Sequence, residues 1–192
     1  MTNEDRDEAN AAGMLNKLLQ ISQGAAYTDD REVVSFDMSN RFRELLDVIE
    51  QTTNKVLVFV PFRHSLEVLH EDLLREGYTV EAIHGDVSPN RRAEIIKQFQ
   101  SEDDPRILLL VPQATAHGIT LTRADQVVWW GPVASTEIYM QANARAHRAG
   151  QTNKVTVTHL QGSPVEKRMY HMLQNKIDLH LSLVELYKQE IA

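Results

Sequence analysis

The chain has 192 residues, 42% hydrophobic and 24% charged, which is enough for one substantial core of ordinary globular composition. It has no cysteine, which excludes disulfides, cysteine zinc sites and cysteine nucleophiles; no apolar run approaches the roughly 18 to 20 residues of a membrane span, and the acidic start MTNEDRDEAN is not a secretory signal. The formal net charge of −7 argues against a stand-alone nucleic-acid binder, so contact with DNA or RNA has to be local or shared with a partner.

Residues 1–10 read as disordered. From Ala11 the apolar residues Met14, Leu15, Leu18, Leu19 and Ile21 suggest an amphipathic helix ending near Gly24. A polar patch from Tyr27 to Arg31 follows, then a short strand at Val33 to Phe36. Ser39 or Asn40 is placed to cap a helix carrying Phe42, Leu45, Leu46 and Ile49. The pattern then becomes regular. KVLVFV (Lys55 to Val60) has the continuous apolar character of a strand buried on both faces. A helix from Ser65 to Glu76 turns Leu66, Leu69, Leu73 and Leu74 inward, and Gly77 ends it. Thr79 to Ile83 is a second core strand. Ser88-Pro89 opens a helix whose apolar face is Ile95, Ile96 and Phe99.

RILLLV (Arg106 to Val111) and QVVWW (Gln126 to Trp130) are the third and fourth core strands, and KVTVTHL (Lys154 to Leu160) is the fifth. Ser135 or Thr136 caps the helix between the last two, with Glu137 in its first turn, and Ser163-Pro164 starts a final helix running to about Gln189. Strands alternating with helices, apolar without period-two alternation, predict an α/β fold: a mostly parallel β-sheet with helices on both faces. Ligands in such sheets bind beyond the carboxyl ends of the strands.

Four loops lie at those ends. Arg63 or His64, after the first core strand, can meet a phosphate or remain an exposed charge. His84-Gly85-Asp86 follows the second, where Gly85 permits close backbone approach and N–H groups at the Ser88 helix start can hold a phosphate oxygen. The third loop, Pro112 to Leu121, is built of small and hydroxylated residues. Its Gly118, Thr115 and Thr120 suit a sugar-phosphate backbone or a ribose. His117 lacks a paired histidine or HExxH spacing, so no metal site is expected. Trp129 and Trp130 are adjacent and face opposite ways in a strand, so at least one belongs to the core.

The stretch IYMQANARAHRAGQ places Gln141, Arg145 and Arg148 at spacings of four and three on a helix expected to end at Gly150. Alone, two arginines so spaced are a solvated basic face. The chain, however, contains no G-x-x-x-x-G-K-[ST] phosphate cradle, no Asp-Glu strand end to hold Mg²⁺ and no serine nucleophile elbow. Arginines aimed at phosphate without a cradle suggest half of a two-part site.

Four blocks carry a family resemblance, in order and spacing, over about Lys55 to Leu160. VLVFVPFRHSLEVL is similar to motif IV, IHGDVSPNRRAEIIKQFQ to the following D-G-S-T-S…R…F block, LLLVPQATAHGITLTRADQVVWW to motif V, and QANARAHRAGQTNKV to motif VI. Together they resemble the second, C-terminal RecA-like lobe of a Swi/Snf-type ATPase of helicase superfamily two. The resemblance implies an ATP-dependent DNA translocase or helicase, an ATP hydrolase, using ATP and Mg²⁺. Arg145 and Arg148 would act as catalytic arginines on the ATP phosphates. Gln141, Gly118 and Thr120 would serve the nucleotide, while Arg63, His84, Gly85 and Thr115 would touch the DNA backbone without reading bases. Arg92 matches an arginine with a structural role. The Mg²⁺ ligands and the N-terminal RecA-like lobe would lie outside these residues, and the 192-residue chain alone would be inactive. No membrane partner is implied.

Departures from the family pattern are Ala144 for the acid before the first motif VI arginine, Thr115-Ala116 for a glycine pair, and Gly131-Pro132 for an acidic-Pro. The motif VI variant is closer to a compact phage or prophage branch, implying the cytoplasm of a bacterial or phage-infected cell. The expected organisation is an N-terminal extension over 1–38, leading in from the missing first lobe, the lobe itself over 39–163, and a C-terminal helix over 164–192. Two other classes stay open: a non-catalytic nucleic-acid-binding or regulatory domain derived from such a helicase, and an unrelated doubly wound domain such as half of a sugar-nucleotide transferase.

Overall fold

A computed structural model describes residues 3–28, 30 and 32–176. The core is a five-stranded, wholly parallel sheet of β3 (Lys55–Phe59), β4 (Val80–Ile83), β5 (Ile107–Leu110), β6 (Ala124–Trp129) and β7 (Thr156–His159), in the order β4-β5-β3-β6-β7. The most apolar strands occupy the centre. Every residue of β3 and β5 is buried, because helices cover both faces there. Lys55 is tolerated in β3 because its ammonium donates to the Pro105 carbonyl at 2.8 Å and lies 4.9 Å from the Phe99 ring centre. Burial holds its pKa below the ordinary lysine value.

Helices α2 (Ser39–Glu50) and α3 (Arg63–Arg75) cover one face through Leu45, Ile49, Leu66, Leu69 and Leu73, against Val56, Val58 and Leu109. Helices α1 (Asn3–Ser22), α4 (Pro89–Ser101), α5 (Thr136–Ala146) and α6 (Pro164–Gln174) cover the other, against Leu57, Phe59, Leu108 and Trp129. The first and last helices therefore bury side chains in the same core as the sheet. Serine caps start three helices: Ser88, Ser135 and Ser163 accept the N–H groups of Arg91, Ile138 and Glu166.

Several expectations are corrected. Helix α1 begins at Asn3, so residues 3–10 are helical and not disordered. Only Leu15 and Leu19 of its apolar set are buried, while Met14, Leu18 and Ile21 face outward. A strand not foreseen, β1 (Ala25–Tyr27), pairs antiparallel with β2 (Val33–Ser35) in a separate ribbon. Met38 precedes α2 without a side-chain cap, and the N–H of Ser39 donates to Asp37 Oδ1 at 2.9 Å. Leu74 is half exposed. Helix α6 stops at Gln174, where the N–H groups of Asn175 and Lys176 bond back to His171 and Leu173 and Lys176 takes φ +57°. The expected continuation to Gln189 falls, from residue 177 on, outside the described residues.

Candidate nucleotide and nucleic-acid site

The candidate residues fall into two groups, because the chain passes the sheet in two directions. The first group sits beyond the carboxyl ends of β3 and β4, as a parallel sheet demands. Arg63 opens α3 and pairs with Glu67 at 2.8 Å and with Asp86. Glu67 first and Asp86 second stabilise its charged form, which raises its pKa. The Asp86 N–H donates to His84 Nδ1 at 3.4 Å, and Arg92 donates to the His84 carbonyl at 3.4 Å, so Arg92 holds this loop to α4. Gly85 is exposed, and the space where a Cβ would stand is open.

Thr115 departs from expectation. It lies in a 3-10 helix, Pro112–His117, where it is buried and its hydroxyl donates to the Pro112 carbonyl at 2.6 Å. That hydroxyl closes the turn and is not presented to a backbone phosphate. Neither tryptophan presents a ring for stacking. Trp129 is fully buried in the α5 face and Trp130 in the α3 face, each with its indole N–H bonded, to Asn143 Oδ1 at 3.1 Å and to the Gln23 carbonyl at 3.0 Å.

The second group lies lower. Helix α5 starts at the carboxyl end of β6 and runs back, so its far end meets the segment that leads into β6. Gly118 ends the 3-10 helix with φ +71°, a left-handed conformation suited to glycine. The Leu121 N–H then donates to the Arg145 carbonyl at 2.9 Å, and Arg148 Nη1 donates to the Gly118 carbonyl and to Thr120 Oγ1, each at 3.2 Å. Gln151, which sequence reasoning did not single out, secures the same junction. Its Nε2 donates to the Thr122 and Ala124 carbonyls at 2.9 Å each and to Ala146 at 3.4 Å. The only signal for it was an amide side chain directly after the glycine that ends the motif.

Helix α5 ends at Ala146, four residues before Gly150. His147 takes φ −89°, ψ 76°, so Arg148 is not on the helical face with Gln141 and Arg145. Its two bonds tie it to residues 118 and 120, in the segment whose Leu121 N–H donates to the Arg145 carbonyl. Gln141 donates to Glu137 Oε1 at 2.8 Å. Ala144 is exposed, and adjacent helical residues project about 100° apart. An acid at 144 would therefore not share a face with Arg145.

Arg41, Arg63, Arg75, Arg91 and Arg123 each face a carboxylate; Arg145 and Arg148 form no such pair among the described residues. Arg145 Nε is buried with no hydrogen-bond partner. Two guanidiniums that no carboxylate neutralises among the described residues fit an anion that supplies oxygens. A cavity of about 780 Å³ is elsewhere. It lies at the amino edge of the sheet between Lys55, Arg106, Arg123 and Asp103. Among the described residues no three metal-ligating side chains gather, and no helix is long and apolar enough to cross a membrane.

This fold and these motifs define a second RecA-like helicase lobe. The Helicase conserved C-terminal domain family matches residues 40–150, and the chain belongs to it. Its relatives place it in the Swi/Snf branch of superfamily two. The chain is 30% identical over 176 residues to the CHD3-type chromatin-remodeling factor PICKLE of Arabidopsis thaliana, covering 83% of this chain and 13% of that protein. It is 29% identical over 193 residues to chromodomain-helicase-DNA-binding protein 1-like of Danio rerio, covering 93% and 19%. With the human chromatin-remodeling ATPase INO80 the identity is 26% over 159 residues, covering 82% and 10%. The chain thus spans under a fifth of the length of these relatives. The C-terminal part of the Fun30 ATPase domain superposes with a TM-score of 0.68 at 24% identity, over all of this chain and 63% of that one. The C-terminal domain of the DEAD-box protein Dbp5 gives 0.60 at 19%, over 73% and 79%. Both likenesses are of fold.

Proposed function

We propose that this lobe completes, together with a first RecA-like lobe of the same polypeptide, the ATP site of a DNA translocase. Arg145 and Arg148 reach the ATP phosphates and stabilise charge that develops on the transferred phosphoryl group. Gly118 and Thr120 hold the edge of that site through their bonds to Arg148, and Gln141 steadies the helix face beside it. Arg63, His84 and Gly85 meet the DNA backbone from the carboxyl edge of the sheet. Thr115 supports the turn between the two groups instead of touching DNA.

The observation that carries this reading is the arginine pair: two guanidiniums without carboxylate partners among the described residues, Arg148 bonded to the 118–120 segment by its side chain and Arg145 to Leu121 by its carbonyl, in a chain of net charge −7. The residues fit the phosphate half of an ATP site and supply no carboxylate for Mg²⁺. When bound, Mg²⁺ would neutralise phosphate charge, and its ligands would come from the first lobe. The phage or prophage lineage rests on the motif VI variant alone.

The test compares ATP hydrolysis by the 192-residue chain with that of the protein carrying both lobes, each with and without DNA. The reading expects negligible turnover by the chain and DNA-stimulated turnover by the two-lobe protein. Measurable turnover by the chain alone would overturn it.

A further inference from the structure

The helix that carries Arg145 is held to the sheet by two side chains, Tyr139, whose hydroxyl lies 2.9 Å from His159 Nε2, and Asn143, which meets Trp129. Trp129, fully buried at the carboxyl end of β6, packs its ring 4.8 Å from Phe59 and 5.0 Å from Tyr139. Its indole N–H donates to Asn143 Oδ1 at 3.1 Å. Tyr139 and Asn143 are one turn apart on α5, so both meet the same indole. The other inward residues of α5, Ala142 and Ala146, are fully buried but small. They let the helix approach the sheet and set no direction. At the end of the helix nearer Arg145 the Asn143 hydrogen bond fixes the direction, because turning Asn143 away would leave a buried indole donor without an acceptor.

We infer that Asn143 is the positioning residue for the arginine pair, acting through Trp129. The inference rests on the reading that Arg145 and Arg148 meet ATP phosphate. Arg145 follows Asn143 by two residues. The Asn143 carbonyl also accepts the His147 N–H at 3.1 Å, the bond that closes the helix just before Arg148. Asn143 is therefore fastened to the sheet by its side chain and to the start of the Arg148 turn by its main chain. The 118–121 segment holds that turn from the other side.

The experiment uses the protein with both lobes, with DNA present, and measures kcat and KM for ATP. The variants are Asn143→Ala, Trp129→Phe, the two combined, Asn143→Asp and, as reference, Arg148→Ala. Asn143→Ala lowers kcat by roughly ten- to hundredfold, the scale of a misplaced catalytic group, with KM for ATP near wild type. Trp129→Phe keeps a ring in the pocket, removes the donor and gives a similar loss. The double variant is no worse than the worse single one, the mark of one shared interaction. Asn143→Asp keeps an acceptor oxygen and restores most of the turnover. Additive losses, or wild-type kcat in Trp129→Phe, overturn the inference even where the alanine variant fails to fold. If Arg148→Ala retains full turnover, the reading beneath falls instead.

Discussion

The side chain of Gln23 lies across the Cα of Gly131, leaving no space between them for a methyl group. Gln23 is fully buried, donates to the Pro132 carbonyl at 3.2 Å and accepts the Trp130 indole N–H on its own carbonyl at 3.0 Å. The residue that follows α1 is thereby pinned to the loop after β6. The family's acidic residue at 131 is incompatible with this arrangement, which gives the departure at Gly131 a physical reason.

Gly131→Ala places a Cβ inside the contact distance of Cγ, Cδ and Nε2 of Gln23. Overpacking of this kind costs about 1–3 kcal/mol. Denaturant unfolding checks the loss, and Gln23→Ala in the same chain removes the overlap. The double variant is expected to lose less than the sum of the two single ones.

Glu166 joins three elements. It pairs with Arg41 at 2.7 Å, accepts the Ser22 hydroxyl at 3.0 Å and accepts the Gly162 N–H at 2.6 Å, with the Arg41 and Glu166 side chains 8% and 1% exposed. Arg41 also bonds the Trp130 carbonyl. Glu166→Ala strands a buried guanidinium and should destabilise the chain by about 3–5 kcal/mol. Glu166→Gln keeps an acceptor and should cost less. Equal unfolding midpoints for Glu166→Ala and the parent chain would remove this pair from the account.

His159 gives a pH dependence. Burial lowers its pKa from 6.5 to about 4, and its ring sits between Tyr139 and Tyr170 with Nε2 2.9 Å from the Tyr139 hydroxyl. The folded pKa is below the unfolded one, so the unfolded chain takes up the proton first. Stability from this group is present above about pH 6.5 and is lost as pH falls toward about 4. Unfolding free energy measured across that window should fall more steeply for the parent chain than for His159→Gln.

The fold was legible because burial on both faces leaves a plain mark: KVLVF and ILLL are continuous apolar runs and became the centre of the sheet. Serine caps before proline or a first-turn acid were legible for a similar local reason, as at Ser88 and Ser163. What failed depended on distant contacts. Leu74 has the right helical spacing yet stays half exposed because α3 presents its other flank to the sheet. Thr115 has a ligand-like hydroxyl, but only the tertiary fold shows it committed to Pro112. Arg148 was placed on a helix that ends two residues earlier, and its alignment comes instead from residues 118 and 120, some thirty positions away. Motif VI was readable as a string, and its geometry was not.

Gly118 tests that geometry. Nothing lies within 4 Å of where its Cβ would stand, so Gly118→Ala is opposed by the φ of +71° alone. The left-handed conformation costs about 1–2 kcal/mol for an alanine. The variant should lose about that much stability and also ATP turnover in the two-lobe protein, because the Gly118 carbonyl orients Arg148. Stability lost with turnover intact would detach this loop from the site.

The central claim is that Arg145 and Arg148 act on ATP. Its most direct measurement is DNA-stimulated ATP turnover by the two-lobe protein carrying Arg145→Ala or Arg148→Ala, alongside its thermal melting. The account predicts turnover reduced by about 10³-fold or more, the scale of a phosphate-clamping arginine, with melting close to the parent protein because neither guanidinium pairs with a carboxylate among the described residues. Parent-level turnover in either variant would contradict it.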